Sequence, residues 1–169
     1  MARITFITGG QRSGKSLYAM KRAESLADNP LFLATARVWD EDFKQRIERH
    51  RADRGPAWET LEEDKHIGRL KFGGRTVVLD CITLWLNNFF HDSEYDVDKA
   101  LKEAVIEWEE FIRVDFELFV ISNEVGMGIH AENEAARKFA DLQGWMNQRI
   151  AAVADEVIFM VAGIPQRIK

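Results

Sequence analysis

Gly9, Gly14, Lys15 and Ser16, within ITGGQRSGKSL (residues 7–17), satisfy the spacing G-x-x-x-x-G-K-[ST]. Such a loop curls so that successive backbone N–H groups point inward at a polyanion, and the positive end of a following helix adds to the field. In that reading Lys15 reaches the β- and γ-phosphates of a nucleoside triphosphate, and the Ser16 hydroxyl ligates Mg²⁺. Gly10, Gln11, Arg12 and Ser13 complete the loop. Asp80 ends the apolar run RTVVLD, and a carboxylate at the carboxyl edge of a buried strand would supply a second contact to Mg²⁺. A solvated strand-end acid or a helix N-cap is the other use of such a residue. These residues imply binding of a nucleoside triphosphate with Mg²⁺ and leave the nucleotide and the acceptor open.

His50 stands in RIERHRADR, between Arg46 and Arg49 on one side and Arg51 and Arg54 on the other. Imidazole is a good nucleophile toward phosphorus, and guanidinium groups match phosphate geometry while disfavouring protonation of the ring. A solvated histidine on a surface helix fits the same composition. His66, in a short charged segment, and His91, in a polar one, are expected to be structural or exposed. His130, in GMGIHAEN, falls in a loop expected to be functional.

The elements that must position these groups follow from periodicity. RITFIT is apolar and β-branched, the loop comes next, and KSLYAMKRAESLA reads as a helix with Leu17, Met20 and Ala23 on one face, closed by ADNP. LFLATA is a short buried strand. DEDFKQRIERHRADR predicts a helix capped by Asp40, with acids in its first turn and arginines toward its end. WETLEE alternates as a strand, DKHIGRLKF predicts a short helix, and RTVVLD is the clearest buried strand. Val97, Leu101, Val105, Trp108 and Ile112 repeat as in an amphipathic helix. FELFVIS is a strand, and the irregular NEVGMGIHAEN follows it. EAARKFADLQGWMNQRIAAVA is helical despite Gly144, whose presence predicts close packing there. EVIFMVAG and IPQRIK finish as strands. Strands alternating with helices predict an α/β fold, a mostly parallel sheet covered on both faces. No repeat or linker divides the chain, so residues 1–169 read as one nucleotide-binding catalytic domain.

The 169 residues suit one domain, and 46% hydrophobic with 30% charged residues suits a packed core. A net charge of -5 offers no general attraction to nucleic acid, and no nucleic-acid partner is expected. The opening MARITFITGG meets glycine too early for a secretory signal, and no apolar run is long enough to cross a bilayer, so the expected location is the cytoplasm. The single cysteine, Cys81, sits in VVLDCITLWL and reads as a small buried hydrophobe. The N-K-x-D motif of a GTPase switch is absent, and a motor or helicase ATPase would need more chain. A small-molecule kinase suits the size.

TGGQRSGKS, ATA, RIERHRADR, WETLEE, VLDCITLWLNN, NEVGMGI with a following EN, NQRIAAVADEV and the ending GIPQRIK resemble, in order and spacing, the bifunctional adenosylcobinamide kinase/adenosylcobinamide-phosphate guanylyltransferase family. The resemblance implies a P-loop, RecA-like three-layer α/β sandwich with a predominantly parallel sheet. It implies two reactions of cobalamin biosynthesis. The side-chain hydroxyl of adenosylcobinamide is phosphorylated by ATP or GTP, and GMP is then transferred from GTP to that phosphate. The second reaction would pass through a guanylyl-histidine at His50. By the same resemblance the nucleotide contacts fall on Gly9 to Ser16, on Ala34, Thr35 and Ala36, on Arg51, Ala52, Asp53 and Arg54, and on Glu62. Asp80 stands where the family carries an acid for Mg²⁺ or nucleotide. A homotrimer is implied. The chain departs from the family pattern at Gln11, which replaces a smaller residue, in GIHAEN, which replaces the more usual G-I-V-P-E-N and places His130 in that loop, and in a compact region after Leu86.

Overall fold

The computed structural model describes residues 1–37 and 55–169. The helix expected over residues 40–54, with Asp40 and His50, lies outside the described residues, as do Arg51, Ala52, Asp53 and Arg54.

Seven strands form one sheet: β1 (Arg3–Gly9), β2 (Leu31–Ala34), β3 (Glu59–Glu62), β4 (Thr76–Asp80), β5 (Glu117–Ile121), β6 (Glu156–Val161) and β7 (Ile164–Arg167). Their order is β3-β2-β4-β5-β1-β6-β7. All neighbours are parallel except the hairpin β6–β7. Four α-helices are described: α1 (Lys15–Glu24), α2 (Ile82–Asp92), α3 (Val97–Phe111) and α4 (Glu134–Val153). The expected three-layer α/β sandwich is present.

Strands buried on both faces read as continuous apolar runs, because successive side chains enter opposite layers. Ile4, Phe6, Val77, Leu79, Leu118 and Val120 face a large cluster completed by α2, α3 and α4. Ile7, Val78, Phe119 and Ile121 face a smaller cluster with Ala19 and Ala23 of α1. Trp85 and Phe89 of α2 are essentially fully buried and stack edge to face at 5.0 Å. Each such side chain contributes roughly 1.5–3 kcal/mol through burial. None of the helices among the described residues is long and apolar enough to cross a membrane.

Five local expectations change. The sequence reading places no helix over Ile82–Asp92, although Ile82, Trp85, Leu86, Phe89 and Phe90 recur at helical spacing, because its first apolar residues run on from β4. On α1 the buried face is Lys15, Ala19 and Ala23, while Leu17 is exposed. The small alanines bring α1 close to the sheet, which suits a helix whose first residue must enter the phosphate loop. On α3 the deepest stripe is Ala100, Ala104, Trp108 and Phe111, with Val97, Leu101 and Val105 at its margin. A side chain at Gly144 would meet nothing within 4 Å among the described residues, so the glycine is not explained by close packing. The helix expected in DKHIGRLKF is a 3₁₀ turn at Ile67–Arg69. Its backbone is held by α3 instead: Gly68 N donates to Glu107 Oε2 at 2.8 Å, and His66 Nδ1 lies 2.9 Å from Glu107 Oε1.

Candidate nucleotide-binding site

The loop between β1 and α1 is shaped by contacts that exclude side chains. A Cβ at Gly9 would stand 2.4 Å from the Met160 carbonyl oxygen of neighbouring β6, and Gly9 has φ +148°. Gly14, at φ +93°, caps α1, and a Cβ there would press on Gly163 at 3.2 Å. The β6–β7 turn grips the loop from outside through Gly163 N, which donates to the Ser13 carbonyl at 3.0 Å. Within this arc Lys15 is buried, and its Nζ donates to the Gly10 carbonyl at 2.6 Å and the Gly9 carbonyl at 3.1 Å. Backbone N–H groups, the dipole of α1 and a buried ammonium thus converge on one place, the requirement for holding a polyphosphate. No acid occupies the first turn of α1 to oppose it.

Ser16 follows Lys15 on α1, and its Oγ donates to Asp80 Oδ2 at 3.0 Å. The sheet brings the two together across 64 residues of chain. These two hard oxygen donors beside the phosphate loop fit Mg²⁺, which takes one or two protein oxygens, substrate phosphates and water. Three or more clustered His, Cys, Asp or Glu side chains are not needed for that pattern, and none occur among the described residues.

Register carries the predicted residues of β2 and β3 among the described residues to the same sheet edge. Ala34 pairs with Glu62 on one side and with Asp80 on the other. Asp80 pairs with Ile121, which pairs with Ile7 of β1. Ala34 and Ala36 are partly accessible and Glu62 is exposed at this edge. Thr35 is buried: its hydroxyl donates to the Cys81 carbonyl at 2.9 Å and its N–H to the Asp80 carbonyl at 3.2 Å. Its side chain therefore braces the strand end that presents Asp80. Cys81 itself is buried, and desolvation with the adjacent Asp80 charge pushes its thiol up to about 12, so it stays a neutral packing group.

Several supporting residues escaped the sequence reading because they act through α2. Asn88, fully buried, donates through Nδ2 to the carbonyls of Thr35 and Asp64, each at 2.8 Å. Arg37 clamps Asp92 at the end of α2 with two bonds of 2.7 and 3.0 Å and also binds Asp64. These bonds hold the Asp92 carboxyl well below the usual carboxylate range and raise the Arg37 guanidinium above its ordinary value. Helix α2 thereby ties together the chain leaving β2 and the chain leaving β3. Trp58 of WETLEE is also a brace: it packs edge-on against Phe32 at 6.2 Å, and its indole N–H donates to Glu24 at 2.9 Å. His66 and His91 stand away from the loop, in the 3₁₀ region and on the last turn of α2, and His130 is exposed in the segment before α4.

The family model described as cobinamide kinase / cobinamide phosphate guanyltransferase matches residues 5–168. The chain belongs to this family. The bifunctional adenosylcobalamin biosynthesis protein CobU of Escherichia coli K12 is 35% identical over 184 residues, covering 98% of this chain and 99% of the relative. CobU of Salmonella typhimurium is 38% identical, with coverage of 98% and 99%. The bifunctional adenosylcobalamin biosynthesis protein CobP of Pseudomonas aeruginosa is 34% identical over 167 residues, covering 96% and 95%. The family match takes in the phosphate loop, Asp80, the irregular segment after β5 and nearly all of the β6–β7 hairpin, so every part of the geometry above lies within it.

Proposed function

We propose that this protein is a bifunctional enzyme of cobalamin biosynthesis. It phosphorylates the side-chain hydroxyl of adenosylcobinamide with ATP or GTP and then transfers GMP from GTP to adenosylcobinamide phosphate, giving adenosylcobinamide-GDP and pyrophosphate. The observation that carries the reading is the convergence of Lys15, Ser16 and Asp80 at one sheet edge, in a chain matched by the kinase/guanyltransferase family from residue 5 to 168. The loop N–H groups and Lys15 hold the triphosphate. Ser16 and Asp80 would hold Mg²⁺, which when bound neutralises phosphate charge and orients the phosphates.

For guanylyl transfer, the sequence reading assigns His50 as nucleophile. Its imidazole forms a bond to the α-phosphorus of GTP as the bond to pyrophosphate breaks; a phosphate oxygen of the corrinoid then takes the GMP and releases His50. Arg51 to Arg54 and Glu62 are assigned to nucleotide binding on the same basis. The enzyme is further proposed to act as a homotrimer in the cytoplasm.

Incubation with Mg²⁺ and GTP labelled at the α-phosphate tests this directly. Acid-labile label retained on denatured protein, absent with γ-labelled GTP and absent from His50→Ala, is the expected result. Absence of label in protein shown to bind GTP would leave only the kinase half standing.

A further inference from the structure

Ser122, Asn123 and Glu124 follow β5, the strand lying between β1 and β4, and so emerge at the carboxyl edge between Gly9 and Asp80. All three N–H groups are committed. Ser122 donates to the Ile7 carbonyl, Asn123 to Thr83 Oγ1 and Glu124 to the Gly9 carbonyl, each at 3.0 Å. Behind them α4 supplies a buried polar network. Ser122 Oγ donates to Asn147 Oδ1 at 2.7 Å and accepts from Gln143 Nε2 at 2.8 Å, and Asn147 Nδ2 reaches the Asn123 carbonyl at 3.2 Å. Buried networks of this kind rigidify what they hold. Here they fix three residues of backbone whose last member lies against the first glycine of the phosphate loop.

Glu124 also lines a cleft of about 410 Å³ between Gly10–Ser13 of the loop and Phe159–Ala162 of the β6 end. Glu124 is the one carboxylate in that lining. One of its oxygens, Oε1, accepts from Gly126 N at 2.9 Å, and Glu124 is partly accessible. An alcohol is a poor nucleophile at neutral pH, and its phosphorylation must release a proton. A carboxylate held beside the phosphate loop can orient the hydroxyl and accept that proton.

We propose that the cleft receives the acceptor alcohol of the kinase step and that Glu124 takes its proton. As the alcohol oxygen bonds to the γ-phosphorus, the bond from that phosphorus to the β–γ bridging oxygen breaks. The electron pair leaves with the nucleoside diphosphate, and the hydroxyl proton passes to the Glu124 carboxylate. This rests on the kinase half of the function proposed above. It separates the two activities within one site, since guanylyl transfer uses a phosphate acceptor that is already ionised and needs no such base.

Glu124→Gln tests it in the full-length protein, because glutamine keeps an oxygen to accept from Gly126 N while losing the ability to take a proton. Phosphorylation of adenosylcobinamide is followed with γ-labelled ATP, and guanylyl transfer with GTP and pre-formed adenosylcobinamide phosphate. The expected kcat for phosphorylation falls at least about 100-fold with KM for ATP little changed, while guanylyl transfer stays near wild type. Kinase activity within about threefold of wild type would overturn the assignment, and so would an equal loss of both activities, which marks Glu124 as structural. A wild-type protein that guanylylates His50 but does not phosphorylate adenosylcobinamide would overturn the underlying kinase reading and the assignment with it.

Discussion

Ser16 Oγ donates to Asp80 Oδ2 at 3.0 Å, joining the first turn of α1, which follows β1, to the end of β4, with β5 lying between those two strands in the sheet. The pair is a preset oxygen platform. Neither residue has to travel to meet a cation, because the helix start and the strand end are fixed by separate parts of the core.

Asp80→Asn is therefore expected to lower both phosphorylation and guanylyl transfer by about 100-fold, the usual scale for losing one preorganised electrostatic partner. Ser16→Ala should act in the same direction and raise the Mg²⁺ concentration needed for half-maximal rate. A Mg²⁺ titration of each variant under steady-state conditions measures both effects. An unchanged Mg²⁺ requirement in both variants would remove Ser16 and Asp80 from the metal assignment.

Gly9→Ala places a methyl group 2.4 Å from a backbone oxygen of β6, and a main-chain carbonyl in a central strand pairing cannot swing aside. The backbone conformation at Gly9 is itself unfavourable for a side chain, at about 1–3 kcal/mol by typical cost. Thermal unfolding should show a loss of that order, and nucleotide binding followed by calorimetry should fall further than stability does, because the loop must shift to relieve the contact. Wild-type affinity in the variant would contradict the close fit of the loop against β6.

Arg37 holds the carboxyl of Asp92 below its ordinary range, so the folded protein releases this proton more readily than the unfolded chain does. The resulting stability is fully present above the unfolded carboxylate value of about 3.9 and is lost as pH falls through the lower, folded value. Asp92→Asn is expected to cost about 1 kcal/mol at neutral pH after allowance for solvent screening of a partly exposed pair. Denaturant midpoints of the two proteins should draw together as pH falls below the ordinary carboxylate range and meet only in strong acid, below the folded value. A difference that persists unchanged into strong acid would show that the pair contributes through packing instead of charge.

The departures from the sequence reading share a cause. Leu17 has the spacing of a buried helix residue yet is exposed, because α1 must lie close to the sheet and small alanines fill that contact. The same preference places Ala100 and Ala104 deepest on α3. Hydrophobic periodicity records which residues are apolar, whereas the depth of each depends on how near two elements approach. Helix α2 does carry a helical signature, with Ile82, Trp85, Leu86, Phe89 and Phe90 at i, i+3, i+4, i+7 and i+8, but its first apolar residues run on directly from β4 and hide the boundary. Its polar anchors, Asn88 and Asp92, act on Thr35, Asp64 and Arg37, partners more than 24 residues away for all but one bond of 24.

By itself the sequence determined the chemistry of the phosphate loop, the strand–loop–helix around it, the acid at the end of RTVVLD, the layered α/β class and the family resemblance. Those features depend on local spacing and on residue type, and both are written along the chain. Only the tertiary structure decided that Asp80 meets Ser16, that β6 shapes Gly9, that Thr35 faces inward as a brace, and that a buried network on α4 carries Glu124 to the loop. Each of these is a contact between elements remote in sequence, selected by strand order and packing distance, which no local pattern of residues encodes.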